Sequence, residues 1–158
     1  MKRILSALLT LAFFGSILAV ATTSKRTVRA VYAGGGCSVA NLSGNYAFNQ
    51  TGFEAKNTMG APLPFANVGV STFNGAGNVS AVFTDMSPGK PDGYGTPLQG
   101  ATGSGTYTVN SDCTGSISVT SGAAAGITFN IVIIGGGTEV FGINTTPFII
   151  ATADMKKQ

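Results

Sequence analysis

Between Gly103 and Thr120 apolar and polar residues alternate one for one. Tyr107 and Val109 interleave with Thr106 and Thr108, and Ile117 and Val119 interleave with Ser116, Ser118 and Thr120. A repeat of two sends successive side chains to opposite faces of an extended chain, so both runs predict strands. The polar stretch Asn110-Ser111-Asp112-Cys113-Thr114-Gly115 separates them, and the whole unit predicts a β-hairpin with a cysteine in its turn.

The same pattern extends along the rest of the chain. Strands are predicted at 44–50, with Tyr46 and Phe48 on one face, and at 65–74, 78–85, 127–134, 138–143 and 148–155. Asn74-Gly75-Ala76-Gly77-Asn78 and Gly135-Gly136-Gly137 are tight turns whose glycines admit positive φ. Two longer connections, 51–64 and 86–102, are marked by proline and glycine. No segment after the first 21 residues keeps a helical period with caps, so the expected class is all-β with very little helix.

Eight strands joined in sequence predict an antiparallel up-and-down barrel, because closure removes the exposed edges of a meander. In such a barrel alternate connections share a rim. Both long connections then fall on one rim, and the turns at 74–78, 110–115 and 135–137 on the other. Cys37, just before the first strand, and Cys113 meet at the tight-turn rim. A sandwich with crossed connections is the competing architecture, and it offers no reason for that agreement.

The N-terminus alters the picture of where this domain works. Met1-Lys2-Arg3 precedes a run from Ile4 to Ala21 that is apolar apart from Ser6, Thr10 and Ser16. This is the pattern of a signal helix spanning 1–21, with small residues at Ala19 and Ala21 for cleavage, Val31-Tyr32-Ala33 as a second cut site, and retention as an anchor the alternative. Residues 22–36 are expected to be a flexible lead-in and 37–158 a single barrel domain, exported to the periplasm, cell surface or medium. An exported chain with two cysteines predicts a Cys37–Cys113 disulfide.

Charge follows the same division. Five of the nine Lys and Arg residues precede Ala33, and from Gly34 onward four lysines face six carboxylates, a balance of about −2. That leaves no basic surface for nucleic acid or anionic lipid, and no membrane association is expected once the signal is removed.

The opening Cys37-Ser38-Val39-Ala40-Asn41-Leu42-Ser43-Gly44-Asn45-Tyr46 resembles the Cys-Ser-x-x-x-Leu-x-Gly-x-Tyr/Trp start of calycin-type barrels, the avidin-like and lipocalin group. Together with Phe73 to Asn78 and Gly105 to Gly115 it is similar to a class of small exported bacterial β-barrel proteins without assigned function. The resemblance implies a calycin-like barrel that holds a small ligand. Avidin-like biotin sites are lined by tryptophans, and this chain has none, so biotin binding does not carry over. A weaker likeness to allene oxide cyclase barrels rests on strand count and Glu139.

Several chemistries are excluded by composition. The chain has no histidine, which removes Ser-His-Asp and Cys-His catalysis and imidazole-ligated metal sites. It has no arginine after Arg29, which removes bidentate phosphate or carboxylate clamps from the folded part. The glycine clusters lack the strand-to-helix context of a phosphate loop. No cofactor is expected. Asp85 and Asp92 are acidic loop neighbours that lack the spacing of a calcium site, and no metal is assigned to them.

Glu139 shares parity with Phe141 and Ile143; it is either an interior acid-base group, as an isomerase or cyclase would need, or, the preferred reading, a rim carboxylate reaching solvent. Asn41, Asn49, Asn78 and Asn144 each begin an Asn-x-Ser/Thr sequon, relevant only in a glycosylating host.

Two surfaces remain as candidates. The long-loop rim collects Phe53, Glu54, Lys56, Met59, Met86 and Tyr94, a mouth suited to a small apolar or weakly polar molecule or a surface glycan. Strands 6 and 8 carry runs apolar at both parities, 131–134 and 148–151, and Val132, Ile134, Val140, Ile149 and Ala151, with Ala153, are expected to form an outward face across strands 6 to 8 for a homo-oligomer. The expected function is therefore non-catalytic ligand binding by an exported barrel. The alternative is a structural or adhesive envelope protein that self-associates.

Overall fold

A computed structural model describes residues 36–55, 61–87 and 97–158. The signal segment and nearly all of the lead-in lie outside the described residues. From Ser43 to Lys157 the chain forms eight strands: β1 (Ser43–Glu54), β2 (Leu63–Asn74), β3 (Asn78–Met86), β4 (Leu98–Val109), β5 (Thr114–Gly122), β6 (Thr128–Ile134), β7 (Glu139–Asn144) and β8 (Ile149–Lys157). Every strand pairs antiparallel with its sequence neighbours and β8 returns to β1, closing the barrel. The only helical element among the described residues is a single 3-10 turn, Val39–Asn41.

The strands outrun the sequence pattern at one end. β1 continues to Glu54 and β2 begins at Leu63, so the first long connection shrinks from 51–64 to 55–62. β4 starts at Leu98 rather than Gly103, five residues before the alternation becomes legible. Gly52 and Pro64 read as loop residues by type, but in-register pairing of β1 with both β2 and β8 holds them in the ladder, and Gly100, at a φ of 66°, sits where β4 slips register against β3.

The two rims differ as the connectivity requires. The turns at 75–77, 110–113 and 135–138 lie at one rim, and the connections 123–127 and 145–148 lie at the other, together with the strand ends Glu54, Leu63, Met86 and Leu98. The Cys37–Cys113 disulfide forms at the tight-turn rim, with a Cα–Cα distance of 4.9 Å. Cys113 holds a φ of 67°, and beside it the carboxylate of Asp112 accepts hydrogen bonds from the Thr114 hydroxyl and amide, which hold its pKa below the ordinary carboxylate value.

That rim is sealed by the segment entering β1. Leu42 is fully buried, and the Tyr107 hydroxyl donates to the carbonyls of Val39 and Leu42, both at 2.9 Å. The Tyr46 hydroxyl donates to the Gly137 carbonyl, and burial raises its pKa above the usual phenol value. A side chain at position 137 is not tolerated: φ is 104°, and a Cβ would lie 2.0 Å from the Asn41 carbonyl oxygen. Above this seal Tyr46, Phe73 and Tyr107 stack edge-to-face, with centroids 5.1 Å apart in each pair, and Ile117, Ile131, Ile133 and Val140 complete a solid core.

Candidate ligand-binding cavity

Toward the opposite rim the interior is not filled. A cavity of about 340 Å³ occupies this half of the barrel, at the lower end of the range of about 300–1,000 Å³ typical of small-molecule sites. Its wall reaches Glu54, Ser87, Ala124 and Ile149, all at or beside the long-connection rim.

Three consecutive strands build one side of it by repeating a single motif. Phe48 and Gln50 on β1, Phe65 and Asn67 on β2, and Phe83 and Asp85 on β3 each follow the order Phe-x-polar, and all six line the cavity. A spacing of two puts both members of each pair on the inner face. The register sets Gln50 opposite Asn67 and Asn67 opposite Asp85, so the polar members form a row across three strands.

In this row the Asn67 carboxamide lies between Gln50 and Asp85. A carboxylate only accepts, so the Asn67 nitrogen is assigned to the Asp85 side, where it donates to Oδ1 at 2.5 Å and to the Ala66 carbonyl at 2.9 Å. Ser87 donates to the same Asp85 oxygen. The carboxylate of Asp85 is 6% exposed and is held by these donors.

Between two of the phenylalanines stands a residue without a side chain. Gly69 on β2 stands in register between Phe48 and Phe83, whose ring centroids lie 6.4 Å apart. A Cβ there would meet the Val82 carbonyl oxygen at 2.3 Å and the Phe83 Cβ at 2.6 Å.

Across the ring, four strands from β3, Asn144 ends β7 with its side chain in the cavity wall. Its Oδ1 accepts from the Thr146 amide at 2.7 Å, which fixes the carboxamide plane. Its Nδ2 is buried without an acceptor, the one such side-chain atom found among the described residues. Val119, Ile127, Phe129, Ile149 and Met155 make the remaining wall chiefly apolar.

The predicted site residues are divided by this geometry. Glu54 lines the cavity. Phe53 and Met86 do not: their parity is outward, Phe53 opposite Ile150 and Met86 opposite Ala66, and they are 51% and 39% exposed. Lys56, Met59 and Tyr94 lie outside the described residues, as does Asp92. No cluster of three or more His, Cys, Asp or Glu suited to a metal occurs among the described residues.

The expected outward face needs correction as well. Val132 and Ile134 do point outward, but Val140 and Ala151 are 0% and 4% exposed and belong to the interior, together with Ala153. Ile149 lines the cavity. The even residues of β7 and the odd residues of β8 take the interior: on β8 Ala151, Ala153 and Met155 alternate with Thr152, Asp154 and Lys156, whereas on β7 the inner set includes Gly142 and Asn144 while Phe141 and Ile143 point out. The outer face carries Phe141, Ile143 and Ile150 instead. Glu139 is also outward, 3.4 Å from the Lys156 ammonium, so it is a surface carboxylate outside the cavity.

Sequence reasoning assigned no face to Gln50 and Asn67 and read Asp85 only as an acidic loop neighbour, so the cavity row went unrecognised. The recurring Phe-x-Gln, Phe-x-Asn and Phe-x-Asp on adjacent strands was the available signal, since a phenylalanine fixes the parity of the polar residue two positions on. No family model, curated protein or solved structure matches this chain.

Proposed function

We propose that this protein is an exported, non-catalytic barrel that binds a small molecule with an apolar body and few polar groups. The observation that carries the reading is the division of the barrel interior: fully buried Leu42, Tyr46, Phe73, Ile131 and Val140 fill one end, and the other holds a cavity of about 340 Å³ lined by phenylalanines and a polar row. An interior serving stability alone gains by filling such a space, because each buried void forfeits dispersion contacts. The disulfide fits an oxidising compartment, which supports export. A glycan fits less well than an apolar ligand, because its hydroxyl-covered faces need more polar partners than this wall supplies.

Native mass spectrometry of protein recovered from its own host tests the reading. The expected spectrum carries a discrete mass excess of one small organic molecule per chain, lost on denaturation. Consistently ligand-free protein that also takes up no apolar probe contradicts it.

A second reading, self-association, is favoured by Val132, Ile134, Phe141, Ile143 and Ile150, which are 41–76% exposed on β6 to β8. Exposed apolar side chains on adjacent strands are a common partner surface. Light scattering on the same preparation distinguishes the two: a monomer across micromolar concentrations removes self-association and leaves ligand binding untouched.

A further inference from the structure

The orphaned amide of Asn144 narrows the ligand class, an inference that rests on the binding reading above. A buried donor without an acceptor costs about 1–3 kcal/mol in a folded protein, and such groups are rare in native structures. Asn144 is 7% exposed, belongs to the cavity wall, and cannot rotate its nitrogen toward a protein acceptor without releasing the Thr146 amide from Oδ1. The described residues of the wall bear the carboxylates of Glu54 and Asp85 and no lysine or arginine, a setting that opposes an anion.

We propose that the cavity recognises an uncharged molecule presenting a carbonyl-type acceptor oxygen to Asn144 Nδ2, with its apolar body lying against Phe48, Phe65, Phe83 and Phe129. Asn144 is then the specificity-determining residue. The ketone supplies an acceptor to a donor that the free protein leaves orphaned, whereas the alkyl analogue leaves it orphaned, so the hydrogen bond favours the ketone. A merely apolar cavity does the reverse, favouring the more hydrophobic analogue.

The test uses two probes with the same carbon skeleton, 2-propionylnaphthalene and 2-propylnaphthalene, each displacing the fluorescent reporter N-phenyl-1-naphthylamine from the purified protein. The expected result is that the ketone binds about tenfold more tightly than the alkyl compound, although it is less hydrophobic. Asn144→Asp keeps the oxygen that accepts from Thr146 and replaces the donor nitrogen with a second oxygen, so the preference for the ketone is expected to vanish in that variant.

Equal or tighter binding of the alkyl compound by the wild-type protein overturns the inference while leaving ligand binding intact. A ketone preference that survives Asn144→Asp overturns the role given to Asn144. Failure of the wild type to take up the reporter or either probe overturns the binding reading and this inference with it. The wild-type comparison decides the matter even where the variant does not fold.

Discussion

Gly69 shows how a single position serves both the fold and the cavity. It stands in register between Phe48 and Phe83 on neighbouring strands, where the closely approaching Val82 carbonyl and Phe83 backbone leave no room for a side chain. Gly69→Ala forces a Cβ to within 2.3 Å of a backbone oxygen that can yield only if β2 and β3 separate. The expected cost is about 1–3 kcal/mol, as for other overpacked cores, read as a lower denaturant midpoint with an unchanged slope. An unchanged midpoint would contradict this account of the residue. At this scale the sequence was only partly legible. Alternation alone grouped Tyr46 with Phe48 and Tyr107 with Val109 on one face of each strand, and both tyrosines are buried. Gln50, Asn67 and Asn144 were not recognised, because a polar residue inside a barrel breaks the rule that alternation relies on. Val140 was misplaced because the inner set of β7 includes Gly142 and Asn144 while the more apolar Phe141 and Ile143 face out, and Ala151 because the apolar run 148–151 hid the alternation that is legible from Thr152 onward.

Among the elements, the segment from Cys37 to Leu42 has the most work concentrated in the fewest residues. Its disulfide ties it to the β4–β5 turn, two carbonyls accept from Tyr107, and Leu42 fills the floor of the barrel. Closing a loop across a separation of 76 residues stabilises the fold by about 4 kcal/mol on the chain-entropy view. Reduction, or Cys37→Ser with Cys113→Ser, is therefore expected to lower the midpoint of thermal unfolding by well over 10 °C at this domain size. A shift of a degree or two would show that the hydrogen bonds of Tyr107 and Tyr46 hold the seal without the sulfurs. The pairing was legible because topology and chemistry agreed: the order of long and short connections put both cysteines at one rim before any contact was known. The ends of β1, β2 and β4 were not, since glycine and proline mark loops by local preference while the ladder at that rim is set by partners distant in sequence.

For the barrel as a whole, the two halves of the interior and the two kinds of outer surface are set by the same alternation. The outer faces of β4 and β5 carry hydroxyl pairs, Ser104 with Ser121 at 2.7 Å and Thr108 with Ser116 at 2.8 Å, whereas β6 to β8 present large apolar side chains. All-β class, strand number, closure and rim assignment followed from period and connection length, the features a sequence states most openly. Whether the interior holds a cavity did not, because it depends on how eight inner faces add up in volume across the ring. The claim on which the account turns is that the half of the barrel facing the long connections is a binding site. Equilibrium titration of N-phenyl-1-naphthylamine into the wild type and into Ala81→Phe, which places a ring in the cavity from β3, tests it most directly. The account predicts saturable one-to-one uptake by the wild type and at least about tenfold weaker uptake by the folded variant, whereas indistinguishable isotherms, or no uptake by the wild type, would contradict it.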